Sequence, residues 1–180
     1  MEATVDEKMS PASIRAFWAK GMTNTEIARH YGITKQAVSD MVARYNLRKN
    51  DPKKMAVLAF PWRVREEHKG ASPNKRLREH AVYYFAGERG LSNLQLKRLY
   101  GFYLHLRDNN LVVEYDPDYM GEPGSYERAP GKSAIGGWRW CPREERDDDL
   151  IIRFNQHAVP MDEETLKVWR FPTELPKVRW

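Results

Sequence analysis

The stretch Thr23-Asn24-Thr25-Glu26-Ile27-Ala28-Arg29-His30-Tyr31-Gly32-Ile33-Thr34-Lys35-Gln36-Ala37-Val38-Ser39-Asp40-Met41-Val42 decides how the chain is read. Thr23 and Glu26 stand at capping-box spacing, each side chain serving the other's free amide. Ile27, Ala28 and Tyr31 give the helix that follows an apolar face, and Gly32 ends it. Only Gly32-Ile33-Thr34 separates it from the next helix, which Thr34 caps and whose buried stripe is Ala37, Val38, Met41 and Val42. Ala28 is small where two helices cross closely, Gly32 bends the chain without a clash, and Ile33 and Val38 plug the corner. Upstream, Ser10-Pro11 starts a helix with Ser as cap and Pro in the first turn. Its apolar face is Ile14, Phe17 and Trp18, and Gly21 stops it. Three helices in this arrangement form a helix-turn-helix unit; the bland alternative is an ordinary helical hairpin core.

A recognition helix places its N-terminal half in the major groove. Lys35, Gln36, Ser39 and Asp40 are therefore the candidate base contacts: Gln36 for adenine, Lys35 for guanine or a phosphate, Asp40 for a cytosine amino group or as an orienter of Arg44. Thr23 and Thr34 sit at helix starts, where hydroxyls and free amides suit phosphate oxygens.

The chain of 180 residues is long enough for one or two domains with a real core. Its net charge of +5 is uneven. Residues 1–110 carry 20 Lys/Arg against 11 Asp/Glu, net +9, and residues 111–180 carry 10 against 14, net −4. The steepest part, residues 44–78, holds Arg44, Arg48, Lys49, Lys53, Lys54, Arg63, Arg65, Lys69, Lys75, Arg76 and Arg78 against Asp51, Glu66 and Glu67. A basic two-thirds and an acidic remainder point to one side facing a polyanion. Arg44, Arg48, Lys49, Lys53, Lys54, Arg63, Arg65, Lys75, Arg76, Arg78 and, further on, Arg139 are the candidate DNA-backbone contacts.

Past the first unit, Asn50-Asp51-Pro52 breaks the pattern, and residues 51–70 read as a basic linker or docking segment that Trp62 and Val64 anchor. Ala56 to Phe60 within it suggests a short helix or docked turn. Ser72-Pro73 opens a helix to about Gly87 with Leu77, Ala81, Tyr84 and Phe85 inward. Ser92 caps another whose broad face is Leu94, Leu96, Leu99, Phe102, Tyr103 and Leu106, with Lys97, Arg98 and Arg107 available to a duplex. Three short strands follow, at residues 111–115, 138–141 and 150–153, with a long Gly- and Pro-rich loop between the first two. Trp169, Phe171 and Trp180 are left to pack across this part. The expected fold class is mainly α with a small β element: a helix-turn-helix domain over residues 1–50, then residues 71–180 as a helical domain carrying a short antiparallel sheet and probing the same duplex.

One cysteine, Cys141, excludes a disulfide scaffold and a thiolate zinc cluster and reads as a core thiol. The five histidines are dispersed, and Gly131-Lys132-Ser133 has only the tail of a phosphate-binding loop, so no metal and no cofactor are expected. Asp147-Asp148-Asp149 is a turn. Glu114, Asp116 and Asp118 alternate and are the better candidates for magnesium, but no nuclease constellation assembles around them. The rivals to a non-enzymatic DNA-binding protein are a magnesium-dependent site-specific nuclease or recombinase subunit and a small-terminase-like packaging adaptor. With no apolar run of spanning length and no signal-peptide core, a cytoplasmic protein free of the membrane is expected.

The helix-turn-helix at residues 22–44, the basic segment from Pro61-Trp62 to Arg78 and Leu106-Arg107-Asp108-Asn109-Asn110-Leu111-Val112-Val113-Glu114-Tyr115-Asp116-Pro117 together resemble the immunity repressors of temperate mycobacteriophages, over residues 16–153. The resemblance implies transcriptional repression that maintains lysogeny and gives superinfection immunity in the bacterial host cell. It further implies a monomer on double-stranded DNA at short asymmetric sites. The sequence accords with this, having no heptad seam to build a symmetric dimer.

Overall fold

The computed structural model describes residues 9–20, 22–47, 51–120 and 136–180. Among them the order is α1 (Pro11–Ala19), α2 (Asn24–His30), α3 (Lys35–Arg44), α4 (Pro52–Leu58), α5 (Ser72–Ala86), α6 (Asn93–Asp108), β1 (Leu111–Tyr115), β2 (Trp138–Pro142) and α7 (Glu163–Leu166). The fold is mainly α-helical: an N-terminal helical region, then a helical part carrying a short antiparallel sheet. Gly21 and the loop at 121–135, with Gly131-Lys132-Ser133, lie outside the described residues.

Local chemistry sets the helix starts. Ser10 and Ser13 form a reciprocal box at α1, Thr23 and Glu26 at α2, and Ser92 and Gln95 at α6. At the corner between α2 and α3, Gly32 takes φ +64°, which lets the Ile33 amide reach the Ala28 carbonyl at 2.9 Å and close the end of α2. Asp51 accepts from the Lys54 amide and Pro52 occupies the first turn, so the Asp-Pro pair that ends one pattern starts α4.

Two clusters of buried side chains form the interior. Ile14, Phe17, Ile27, Ala28, Val38 and Leu47 fill the space between α1, α2 and α3. The larger cluster centres on aromatics, with Trp62 edge-on to Trp138 at 5.8 Å and Phe60 edge-on to Trp169 at 5.7 Å. Ala12 of α1 belongs to this second cluster, so α1 serves both. Several positions expected inside face out: Ile33 and Ala37 at the corner, Tyr84 on α5, Leu94 on α6, and Trp180, which is 85% exposed and lies edge-on to Tyr100 beside the Lys97 ammonium. At Ile33, Val38 alone fills the corner, fully buried.

β1 and β2 pair antiparallel, with Glu114 opposite Arg139. The expected third strand is not continuous. Residues 150–153 make one parallel bridge from Ile152 to Val113, and Leu150 bridges Arg170. Its backbone pairs with β1 only around Val113, which donates to the Ile151 carbonyl at 3.0 Å and accepts from the Arg153 amide at 2.9 Å, and beyond that point side chains make the contacts. Arg153 turns its guanidinium onto buried Asp147 at 2.6 Å, and the Asn155 amide donates to the Tyr115 carbonyl at 2.8 Å. No helix among the described residues is long and apolar enough to cross a membrane.

Candidate nucleic-acid interface

α3 displays its start. Lys35, Gln36, Asp40 and Arg44 are exposed and Ser39 half-buried, while Val38 turns inward. Gln36 Nε2 donates to Asp40 Oδ1 at 2.7 Å, one helical turn on. Asp40 thus orients Gln36 rather than Arg44, the partner expected from the sequence. The amide keeps its carbonyl and one N–H for a further partner. The Thr34 hydroxyl accepts from the Ala37 amide at 3.1 Å, and that of Thr23 accepts from the Glu26 amide, so both are engaged as caps. The Thr23 amide and then its hydroxyl hold the Glu26 carboxyl below the usual carboxylate range.

The cationic candidates differ in availability. Arg48 and Lys49 lie outside the described residues. Lys53, Arg63 and Lys75 are exposed. Lys54 donates to the Asn46 carbonyl at 2.7 Å, and exposed Arg65 binds Asp118 and the Pro117 carbonyl. Arg78 is half-buried, with its guanidinium 4.6 Å from the centre of the Phe60 ring. Arg139 pairs with Glu114 at 2.8 Å. Arg76 is buried, 3.1 Å from Glu79, with its Nε unpartnered. Burial lowers the Arg76 pKa, against the pull of Glu79, and raises that of Glu79, against Arg76.

Three elements bring part of this set together. The start of α5 gives Ser72, Lys75 and Arg76, α6 gives Arg98 and Phe102, and β2 gives Trp140; with Gly70 they line an open cavity of about 510 Å³. Lys75 and Arg98 are exposed, making this a cationic recess with aromatic walls. Lys53 and Arg78 meet at a smaller recess of about 180 Å³ beside Glu79 and Gln95.

The alternating carboxylates are engaged elsewhere. Glu114 takes Arg139, the Asn155 amide at 3.1 Å and the Cys141 thiol at 3.4 Å; Asp118 takes Arg65; Asp116 lies 3.6 Å from His157. No group of three metal-ligating side chains occurs among the described residues. Burial and then the Glu114 carboxylate push the half-buried Cys141 thiol up to about 11. Asp147 is a buried counterion. Burial tends to raise its carboxyl, but Arg153 and the Glu144 amide outweigh that and hold it low.

No family model matches this chain. A protein of Mycobacterium phage L5 described as a repressor-like immunity protein is 38% identical to it over 160 residues, which span 88% of this chain and 82% of the relative.

Proposed function

Because the chain belongs to the family of phage repressor-like immunity proteins, we propose that it is a sequence-specific double-stranded-DNA-binding repressor. It acts without enzymatic chemistry and maintains lysogeny and superinfection immunity from short asymmetric sites. The observation that carries this reading is the start of α3. Lys35, Gln36 and Asp40 are exposed, with Gln36 prearranged on Asp40, while Val38, Met41 and Val42 pack with α1 and α2. With one Nε2 hydrogen given to Asp40, Gln36 still offers the donor and acceptor that a bidentate pair with adenine requires. Lys35 serves a guanine or phosphate beside it. Arg44, Lys53, Arg63 and Lys75, with Arg98, are backbone cations that the packing leaves accessible.

In this reading residues 1–50 and 71–180 act as two unlike modules on one duplex, which suits an asymmetric site and a monomer. Joining them raises the effective concentration of the second once the first is bound. Affinity for a selected duplex, measured without magnesium, should fall with salt at a log–log slope of about −5 to −7, for roughly six to eight neutralised phosphates. Lys75→Ala should weaken every duplex alike. Gln36→Ala should relax base choice at one position, by about 1–3 kcal/mol of discrimination. Salt-insensitive binding, or both variants behaving as the parent, would overturn the reading.

A further inference from the structure

The Asp162 carboxylate is nearly completely buried, and no cation pairs with it among the described residues. Its oxygens are satisfied by three helix ends. Oδ1 caps α7 by accepting from the Thr165 amide at 2.9 Å. Oδ2 accepts from the Ser10 amide, at the start of α1, at 3.3 Å and from the Tyr31 hydroxyl, at the end of α2, at 2.5 Å. Beside it the Ser10 and Thr165 hydroxyls meet at 2.7 Å. At the other end of α1, Lys20 reaches Glu164 at 2.8 Å, and Glu164 also holds Lys167 at 2.6 Å. Burial works to raise the Glu164 carboxyl, but Lys167 and Lys20 outweigh it and keep it ionised.

A buried anion is tolerable only while its donors stay in place. Tilting α1 and α2 away would strip Oδ2 of both donors at once. The joint grips the scaffold helices at their ends, and the start of α3 remains exposed. The geometry points to Asp162 as a positioning residue: with Tyr31 and Ser10 it fixes the angle of the helix-turn-helix unit on the rest of the chain, and so the spacing between the two DNA segments the protein engages. This inference rests on the DNA-binding reading for its consequence, but not for its mechanics.

The test uses the full-length chain. Tyr31→Phe removes only the hydroxyl and keeps the ring beside Phe17, 5.9 Å away; Asp162→Asn is the second variant. Spin labels at Thr25→Cys and Arg89→Cys, both exposed positions, in a Cys141→Ser background report the distance between the two parts. The parent should give one narrow distribution, and the variants a distribution at least twice as wide with helix content retained. On a selected duplex and on copies with one or two base pairs inserted between the two footprints, the parent should lose tenfold or more in affinity per insertion, and Tyr31→Phe less than threefold. An unchanged distance distribution in both variants overturns the clamp. A parent that binds no duplex instead overturns the DNA reading and leaves the clamp to be decided by the distances.

Discussion

Gly137 shows how a single position can decide local order. Its φ is +84°, and a Cβ there would stand 2.5 Å from His68 Nδ1 and 2.7 Å from the Tyr115 ring. Neither neighbour can retreat. The Tyr115 hydroxyl meets His68 Nδ1 at 3.0 Å, and the Trp138 indole donates to the His68 carbonyl at 3.1 Å. Gly137→Ala should therefore cost about 2–4 kcal/mol in urea unfolding, from backbone strain added to overpacking. Residues acting within one helical turn were legible in the sequence: Thr23 with Glu26, Ser92 as a cap, and the turn at Gly32. Asp162 was not, because its meaning lies in Tyr31, 131 residues away. The surroundings of Arg76 were hidden for a related reason. A basic side chain in a basic run reads as a surface cation, and only the packing of α5 shows that it is buried on Glu79.

At the scale of elements, α1, α2, α3, α5 and α6 could be read from caps and apolar periodicity, because both are set by neighbours in sequence. β1 and β2 were visible as short apolar runs between turns. The segment after Asp149 was misread because Leu150-Ile151-Ile152 has the composition of a strand but meets β1 through a single bridge. It is held by backbone hydrogen bonds to Val113 on one side and to Trp169 and Phe171 on the other, and by the Asp147–Arg153 pair, with Asp147 2% exposed and Arg153 8% exposed. Asp147→Asn would leave the buried guanidinium with the half-exposed Glu144 as its remaining carboxylate among the described residues, beside the Pro142 carbonyl. The expected loss is about 3 kcal/mol by chemical unfolding, because a broken buried pair leaves an uncompensated charge. Exchange of the Arg153 amide, which donates to the Val113 carbonyl at 2.9 Å, should quicken with it.

For the molecule as a whole, His80 ties stability to pH. It is fully enclosed, with the Tyr103 hydroxyl at 2.7 Å from Nδ1 and the Val168 carbonyl at Nε2, a setting that suits the neutral ring. Burial, against the Val168 hydrogen bond, lowers its pKa to about 4. Above about pH 6.5 the ring is neutral in both folded and unfolded chains and stability is flat. Between about 6.5 and 4 the unfolded chain takes up a proton that the folded one refuses, so stability falls as pH falls, by about 3 kcal/mol at most. Urea unfolding at pH 7, 5.5 and 4.2 should show this slope, and His80→Gln should flatten it. The uneven charge was legible from composition alone. Which cations remain available was not, because that is settled by partners such as Asp118 for Arg65 and Glu114 for Arg139.

The grip of residues 162–167 on the first two helices also has a consequence in time. During translation α1 to α3 are made first, yet the carboxylate that ties α1 and α2 together emerges from the ribosome 131 residues after Tyr31. Until then α1 to α3 can fold around their own small core and rest on α4, where Ala12 joins the second cluster and Arg15 donates to the Asp51 carbonyl, but the tie from Asp162 is missing. A message cut short before codon 162 would yield a polypeptide that still carries α3 and its exposed polar side chains but lacks the acceptor that ties the Ser10 amide and the Tyr31 hydroxyl together.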